Sequence, residues 1–229
     1  MGNVVNQSID PATALRKRYE HIVLNNRLRL DERWAKPCRA FDLHITVEQT
    51  AVAAFEVVQR ELLALEPSLL RIPARAMHIN LAWLIPVSQK DDGIAKDIQW
   101  ARHGRRWCTE IRTALAGLSP FELTYTSVLA TDSAIIASAE PRDTLNKLRG
   151  ELAKRLMLPG KINSGELVHT TLFRYSAPLT RPEELLSRLS ETHLRIRSSV
   201  SELTVVREEI FPSLQTQVLE RYRLTACHD

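Results

Sequence analysis

The chain has 229 residues, 44% hydrophobic and 25% charged, with a net charge of +4. That length allows one large domain or two closely packed lobes around a sizeable core, and no run of 18 or more apolar residues offers a transmembrane helix. Three cysteines, Cys38, Cys108 and Cys227, lie far apart, which excludes a disulfide framework or a zinc-binding spacing and suits a reducing compartment.

The first residues, MGNVVNQSID, carry neither a basic nor an apolar segment of the secretory kind, so a cytoplasmic location without a membrane partner is expected. Charge is unevenly placed. The first 40 residues hold eight Lys/Arg against four Asp/Glu, and the remainder balances to zero. A basic front end over a neutral body is compatible with a polyanionic partner, although a solvated helix face explains it as well. Residues 1–36 are set apart as a basic helical extension, and 37–229 as a single bilobal domain.

Asp10-Pro11 signals a helix start, with a helix to about residue 25. Phe41 to Glu48 alternates as a strand, 50–65 reads as an amphipathic helix ended by Pro67, and Met77 to Leu84 reads as a strand closed by Pro86. Asp91-Asp92-Gly93 makes a turn before a long helix over 94–117. Strands follow at 121–129 and 134–139, then a helix over 142–157 that stops near Pro159-Gly160, and a strand containing His169. Pro182 opens a helix to about 193, and strands near 200–207 and 216–225 close the chain. The two possible hairpins argue against a purely parallel sheet, so the fold class is α+β.

A repeat is present in this order. Strand 41–48, helix 50–65 and His78 match strand 134–139, helix 142–157 and His169; Phe41 to His78 spans 37 residues and Ala134 to His169 spans 35. Two pseudo-symmetric strand-helix-strand lobes with mainly antiparallel sheets would present both histidines to a central cleft. Residues two apart on a strand share a face. His78 therefore stands with Asn80, and His169 with Thr171, each histidine beside a short hydrogen-bond donor. A histidine in a cleft suits acid–base work, whereas a lone one on an apolar strand is more often a satisfied core residue.

The segments His78-Ile79-Asn80-Leu81 and His169-Thr170-Thr171-Leu172 resemble the paired His-x-Thr/Ser-hydrophobic motifs of the two-histidine (2H) phosphoesterase superfamily. That group includes LigT-like 2′-5′ RNA ligases and cyclic nucleotide phosphodiesterases. The similarity in order covers roughly 40–225, and Arg174 resembles the arginine that follows the second motif in LigT-like members. Asn80 departs from the pattern, where Thr or Ser is usual. The resemblance implies a phosphodiesterase opening a cyclic phosphate, 2′,3′-cyclic favoured, of a nucleotide or RNA end, with no metal or cofactor. Its alternatives are 2′-5′ RNA ligation and an inactive nucleotide- or RNA-binding module.

In that chemistry one of His78 and His169 acts as base and the other as acid, while Asn80 and Thr171 hold the non-bridging oxygens. Arg174, Phe173, Tyr175 and His44 are the candidate substrate-binding residues, the aromatics as stacking surfaces for a base, with Tyr125 a further possibility. His44-Ile45-Thr46-Val47 matches the motif letter for letter but precedes the first helix of the repeat, where the resemblance places a central, non-catalytic strand. The basic–aromatic stretch Trp100 to Trp107 is expected to pack its tryptophans and solvate its arginines. A monomer is expected.

Overall fold

Residues 11–89, 92–140, 143–158 and 167–225 are described by the computed structural model. In chain order they form α1 (Pro11–Leu24), β1 (Pro37–Thr46), α2 (Gln49–Leu65), β2 (Leu69–Arg71), a 3-10 turn (Ala74–Ala76), β3 (His78–Ile85), α3 (Gly93–Leu115), β4 (Phe121–Ala130), β5 (Ala134–Glu140), α4 (Asp143–Leu156), β6 (Val168–Tyr175), α5 (Pro182–Glu191), β7 (His193–Val200), β8 (Glu202–Ile210) and β9 (Gln215–Arg223). The expected signals at Asp10, Asp91 and Pro159-Gly160 lie outside the described residues. Asp92 does start α3, its side chain accepting from the Ala95 amide at 2.7 Å.

The fold is α+β, with two antiparallel sheets of strand order β3-β1-β8-β9 and β2-β6-β5-β4-β7. The repeat is visible in this topology. β1 pairs with β3 and β5 with β6, so each histidine strand lies beside the first strand of its own half. Two elements were not foreseen, the short edge strand β2 and the strand β7, which pairs with β4. His193–Val200 alternates, burying Leu194, Ser198 and Val200, but it follows α5 too closely to stand apart from it in the sequence.

The helices exchange halves. α2, from the first half, packs near β7 and α5 of the second sheet, whereas α4, from the second half, packs against β3 and α3. One continuous core results, running from Phe41, Leu43 and Ile45 on β1 through Phe55 and Leu62 on α2 to Leu172, Phe173 and Tyr175 on β6. α1 joins it through the fully buried Val23 and lies against β4 and α5. Trp100 stacks on Phe41 with centroids 4.7 Å apart and Trp107 is buried, so the tryptophans of α3 pack as expected.

Both histidine strands slip by one residue at the last residue of their motif. Along β3 the partners of His44 and Leu43 are Asn80 and Ala82, which skips Leu81. Along β6 the partners of Ile136 and Ile135 are Thr171 and Phe173, which skips Leu172. A bulge of this kind reverses the alternation beyond it. The residue five after each histidine, Trp83 or Arg174, is thereby returned to the histidine face.

The slip in β6 is secured from the exchanged helix. The buried Gln59 of α2 donates from Nε2 to the carbonyls of Ile72 and Leu172, both at 2.9 Å, and its oxygen accepts from Arg71 Nε at 2.8 Å. Gln59→Leu leaves the Ile72 carbonyl without this partner, while the Leu172 carbonyl keeps the Ile72 amide at 3.0 Å, and should cost about 1–3 kcal/mol, the scale of such a loss. Urea unfolding followed by circular dichroism measures this, and a change below the error of the method would show that the bulge holds itself.

Candidate active site

Along β6, burial follows the slip rather than simple alternation. His169, Thr171 and Arg174 are partly exposed, whereas Val168, Thr170, Leu172, Phe173 and Tyr175 are buried. Along β3, His78 and Asn80 are partly exposed and Trp83 is 42% exposed, in otherwise buried surroundings. These six side chains, three from each sheet, line one cavity of ≈ 470 Å³. The paired motifs therefore do converge.

Phe173 and Tyr175 do not join them. Both are 0% exposed in the core, and the Tyr175 hydroxyl donates to the Thr131 carbonyl at 3.1 Å. Their expected role as stacking surfaces is corrected, because the bulge at Leu172 turns them to the far face. Tyr125 is likewise buried, its hydroxyl 2.8 Å from Thr170 Oγ1. Trp83 is the aromatic side chain exposed in the cavity that sequence reasoning missed. The doublets Leu81-Ala82 and Leu172-Phe173, which interrupt polar–apolar alternation, were the signal for both slips.

His44 does line the cavity, although it lies on a central strand as the resemblance implied. Its ring stacks on that of His78 with centroids 3.7 Å apart and planes 13° apart. Asp42, on the same face of β1, brings Oδ2 to 4.0 Å from His44 Nε2. Neither His44 Nε2 nor Asp42 Oδ1 has a hydrogen-bond partner among the described residues. Thr46, the other polar residue of that motif-like stretch, is exposed outside the cavity.

The strap between α1 and β1 forms part of the rim. Arg29 and Arg33 line the cavity. Arg29 is held by Asp132 at 2.8 Å, and the Arg33 guanidinium lies 4.5 Å from the centre of the Phe211 ring. Asp31 approaches Arg174 Nε to 3.9 Å, and its amide donates to the Tyr175 carbonyl. Arg149 of α4 and Glu208 of β8 complete the charged lining. Asp42, Arg149 and Glu208 carry no local motif, so only the tertiary fold brings them here.

The electrostatics follow from burial. The pKa of His78 is lowered to about 4, first by burial and then by the Arg174 charge, against a hydrogen bond between its Nδ1 and the Ala76 carbonyl at 2.8 Å. That bond places the proton on Nδ1 of the neutral ring and leaves Nε2 as the basic nitrogen. His169 is also lowered to about 4, by burial and then by Arg149, Arg174 and His78. The Leu167 carbonyl occupies the equivalent place beside it and favours its proton, but the geometry falls short of a hydrogen bond. Burial and the neighbouring His78 push His44 well below its ordinary value. Asp42 moves the opposite way, raised by burial and by Glu208.

Among the described residues, no three His, Cys, Asp or Glu side chains are grouped to hold a metal ion, and no helix is long and apolar enough to cross a membrane. The arrangement is a cavity with two basic imidazole nitrogens, the Thr171 hydroxyl and four arginines, Arg29, Arg33, Arg149 and Arg174, in its lining.

Lowered histidine pKa values mean that the unfolded chain binds protons more readily than the folded one. Their contribution to stability is present above the unfolded value near 6.5 and lost as pH falls toward about 4. Asp42 and Glu208, raised by burial, oppose this trend, so the expectation concerns a difference. Wild type should lose stability relative to the double variant H78N/H169N between pH 6.5 and 4. Denaturant unfolding across that range measures it, and parallel curves would contradict the burial of the two rings.

No family profile and no curated protein sequence matches the chain. Solved structures do. TT0787 of Thermus thermophilus is 18% identical, with a TM-score of 0.61 over 82% of this chain and 100% of its own. Escherichia coli LigT in its apo form is 14% identical, with a TM-score of 0.59 over 83% and 99%. LigT complexed with 3′-AMP superposes with a TM-score of 0.53 at 17% identity over 83% and 99%. The chain therefore has the LigT-like fold of two antiparallel sheets facing a central cleft.

Proposed function

We propose that this protein is a metal-independent phosphodiesterase of the 2H type that hydrolyses a cyclic phosphate, 2′,3′-cyclic favoured, on a nucleotide or RNA end. The observation that carries this reading is the convergence of His78 and His169, from equivalent places in two sheets, on one cavity lined by arginines. LigT, which shares the fold, is described in complexes with 3′-AMP and with phosphate.

In the reaction, a water oxygen bonds to phosphorus while the bond from phosphorus to one ribose oxygen breaks. One neutral imidazole takes the water's proton, and the other, protonated, gives its proton to the departing ribose oxygen. Thr171 donates to a non-bridging oxygen, and Arg174, next to both histidines, offsets the growing negative charge. The acid must be charged although burial keeps both rings neutral in the free protein. The phosphate anion reverses that balance, since a nearby negative charge favours imidazolium. His44 holds the plane of the His78 ring by stacking on it, and Trp83 offers the base its exposed aromatic face.

His78→Ala and His169→Ala should each lower kcat on adenosine 2′,3′-cyclic phosphate by roughly two to four decades, with the double variant little worse. His44→Ala should cost much less, and Trp83→Ala should raise KM more than it lowers kcat. Activity should survive EDTA and follow a bell-shaped pH profile, as one charged and one neutral member of a coupled pair require. Full activity in either histidine variant, with the fold intact by circular dichroism, would sink the assignment. Loss in EDTA that a divalent ion restores would move the protein to another mechanistic class.

A further inference from the structure

The two half-sites are not equivalent in their donors. Thr171 offers the cavity a hydroxyl, whereas its counterpart Asn80 offers an amide, which acts on the buried Asp42 by favouring that carboxyl's charged form. The first half-site thus has no hydroxyl on β3. A different group stands beside it. Arg149 is 4% exposed, yet its guanidinium lines the same cavity.

Its Nη2 donates to the Asn80 carbonyl at 3.1 Å, its Nη1 reaches Asn146 Oδ1 at 3.4 Å, and its Nε has no partner among the described residues. Its charge also lowers the His169 pKa, and both groups line the one cavity. Arg155, on the same helix, shows the ordinary alternative, being clamped by Glu110 at 3.6 Å and Glu151 at 2.7 Å. For Arg149, burial lowers the pKa and no carboxylate among the described residues raises it. A buried cation without a counter-ion is costly. A planar fork of donors is also the side chain best matched to phosphate oxygens.

We infer that Arg149 is a catalytic residue that binds a non-bridging phosphoryl oxygen in the first half-site, in place of the missing hydroxyl. The backbone carbonyl of Asn80 positions it by orienting Nη2. The exchange of helices makes this possible, because α4 belongs to the second half and carries Arg149 to the first. This inference rests on the phosphoryl-transfer reading above.

Arg149→Met should lower kcat on adenosine 2′,3′-cyclic phosphate by roughly two to three decades, the scale of one oxyanion donor. It should also weaken 3′-AMP binding at least about tenfold, the minimum expected of a charge-assisted contact. Added guanidinium should restore part of the lost kcat in Arg149→Met. Arg155→Met should behave as wild type. Rates and 3′-AMP affinity for Arg149→Met like those of wild type would overturn the assignment, as would a loss of kcat that guanidinium leaves untouched.

Should Arg149→Met not fold, Arg149→Lys decides. A lysine offers one compact nitrogen in place of the planar fork, so kcat should fall at least about tenfold while 3′-AMP still binds. Unchanged kcat would overturn the role. If wild type opens no cyclic phosphate, the proposed function fails separately. The 3′-AMP titration then stands alone: tenfold weaker binding in the variant supports Arg149 as the anion ligand, and equal binding overturns it.

Discussion

The cavity depends on two interruptions of the antiparallel ladder, one at Leu81 and one at Leu172. Without them, strict alternation would set Phe173 and Tyr175 beside His169 and turn Arg174 into the core. With them, a cation follows the second motif and a tryptophan follows the first. Bulges recur beside active sites because they re-aim a side chain without ending the strand. The exchanged helices brace these strands. Gln59 from the first half bonds to the carbonyl of Leu172, and Arg149 from the second half bonds to that of Asn80. Each half-site is thus held by the other half of the chain, which explains why the repeat folds as one core rather than as two independent lobes.

The second constraint is electrostatic. Three imidazoles and the guanidiniums of Arg149 and Arg174 share a cavity in which burial disfavours charge on every ring. The free site therefore holds neutral histidines beside fixed positive charge, and an arriving phosphate finds donors already oriented. Such preorganisation acts strongly where water is excluded. Asp42 and Glu208 border the same space, and burial disfavours the anionic form of both carboxyls.

Much of this was legible in the sequence. The helices and most strands follow apolar periodicity, and the spacing of His78 and His169 after equivalent strand–helix pairs revealed the repeat. Less visible were features that local pattern does not encode. β7 directly follows α5, so its alternation merged with the helix before it. A bulge changes no composition, and only the doublets Leu81-Ala82 and Leu172-Phe173 hint at one, so simple alternation places Phe173 and Tyr175 on the wrong face and hides Trp83. Asp42, Glu208 and Arg149 come from three different elements, and nothing in their neighbouring residues marks them. The motif-like His44 shows the reverse case, a match on a central strand that nevertheless reaches the cavity by stacking on His78.

The central claim is that both half-sites act on one phosphorus. A crystal structure of the protein soaked with 3′-AMP tests it most directly. The account places the phosphate in the cavity within hydrogen-bond reach of Nε2 of both His78 and His169, with Arg149 and Arg174 on its remaining oxygens. A phosphate bound to one histidine alone, or seated outside the cavity between the two sheets, would contradict it.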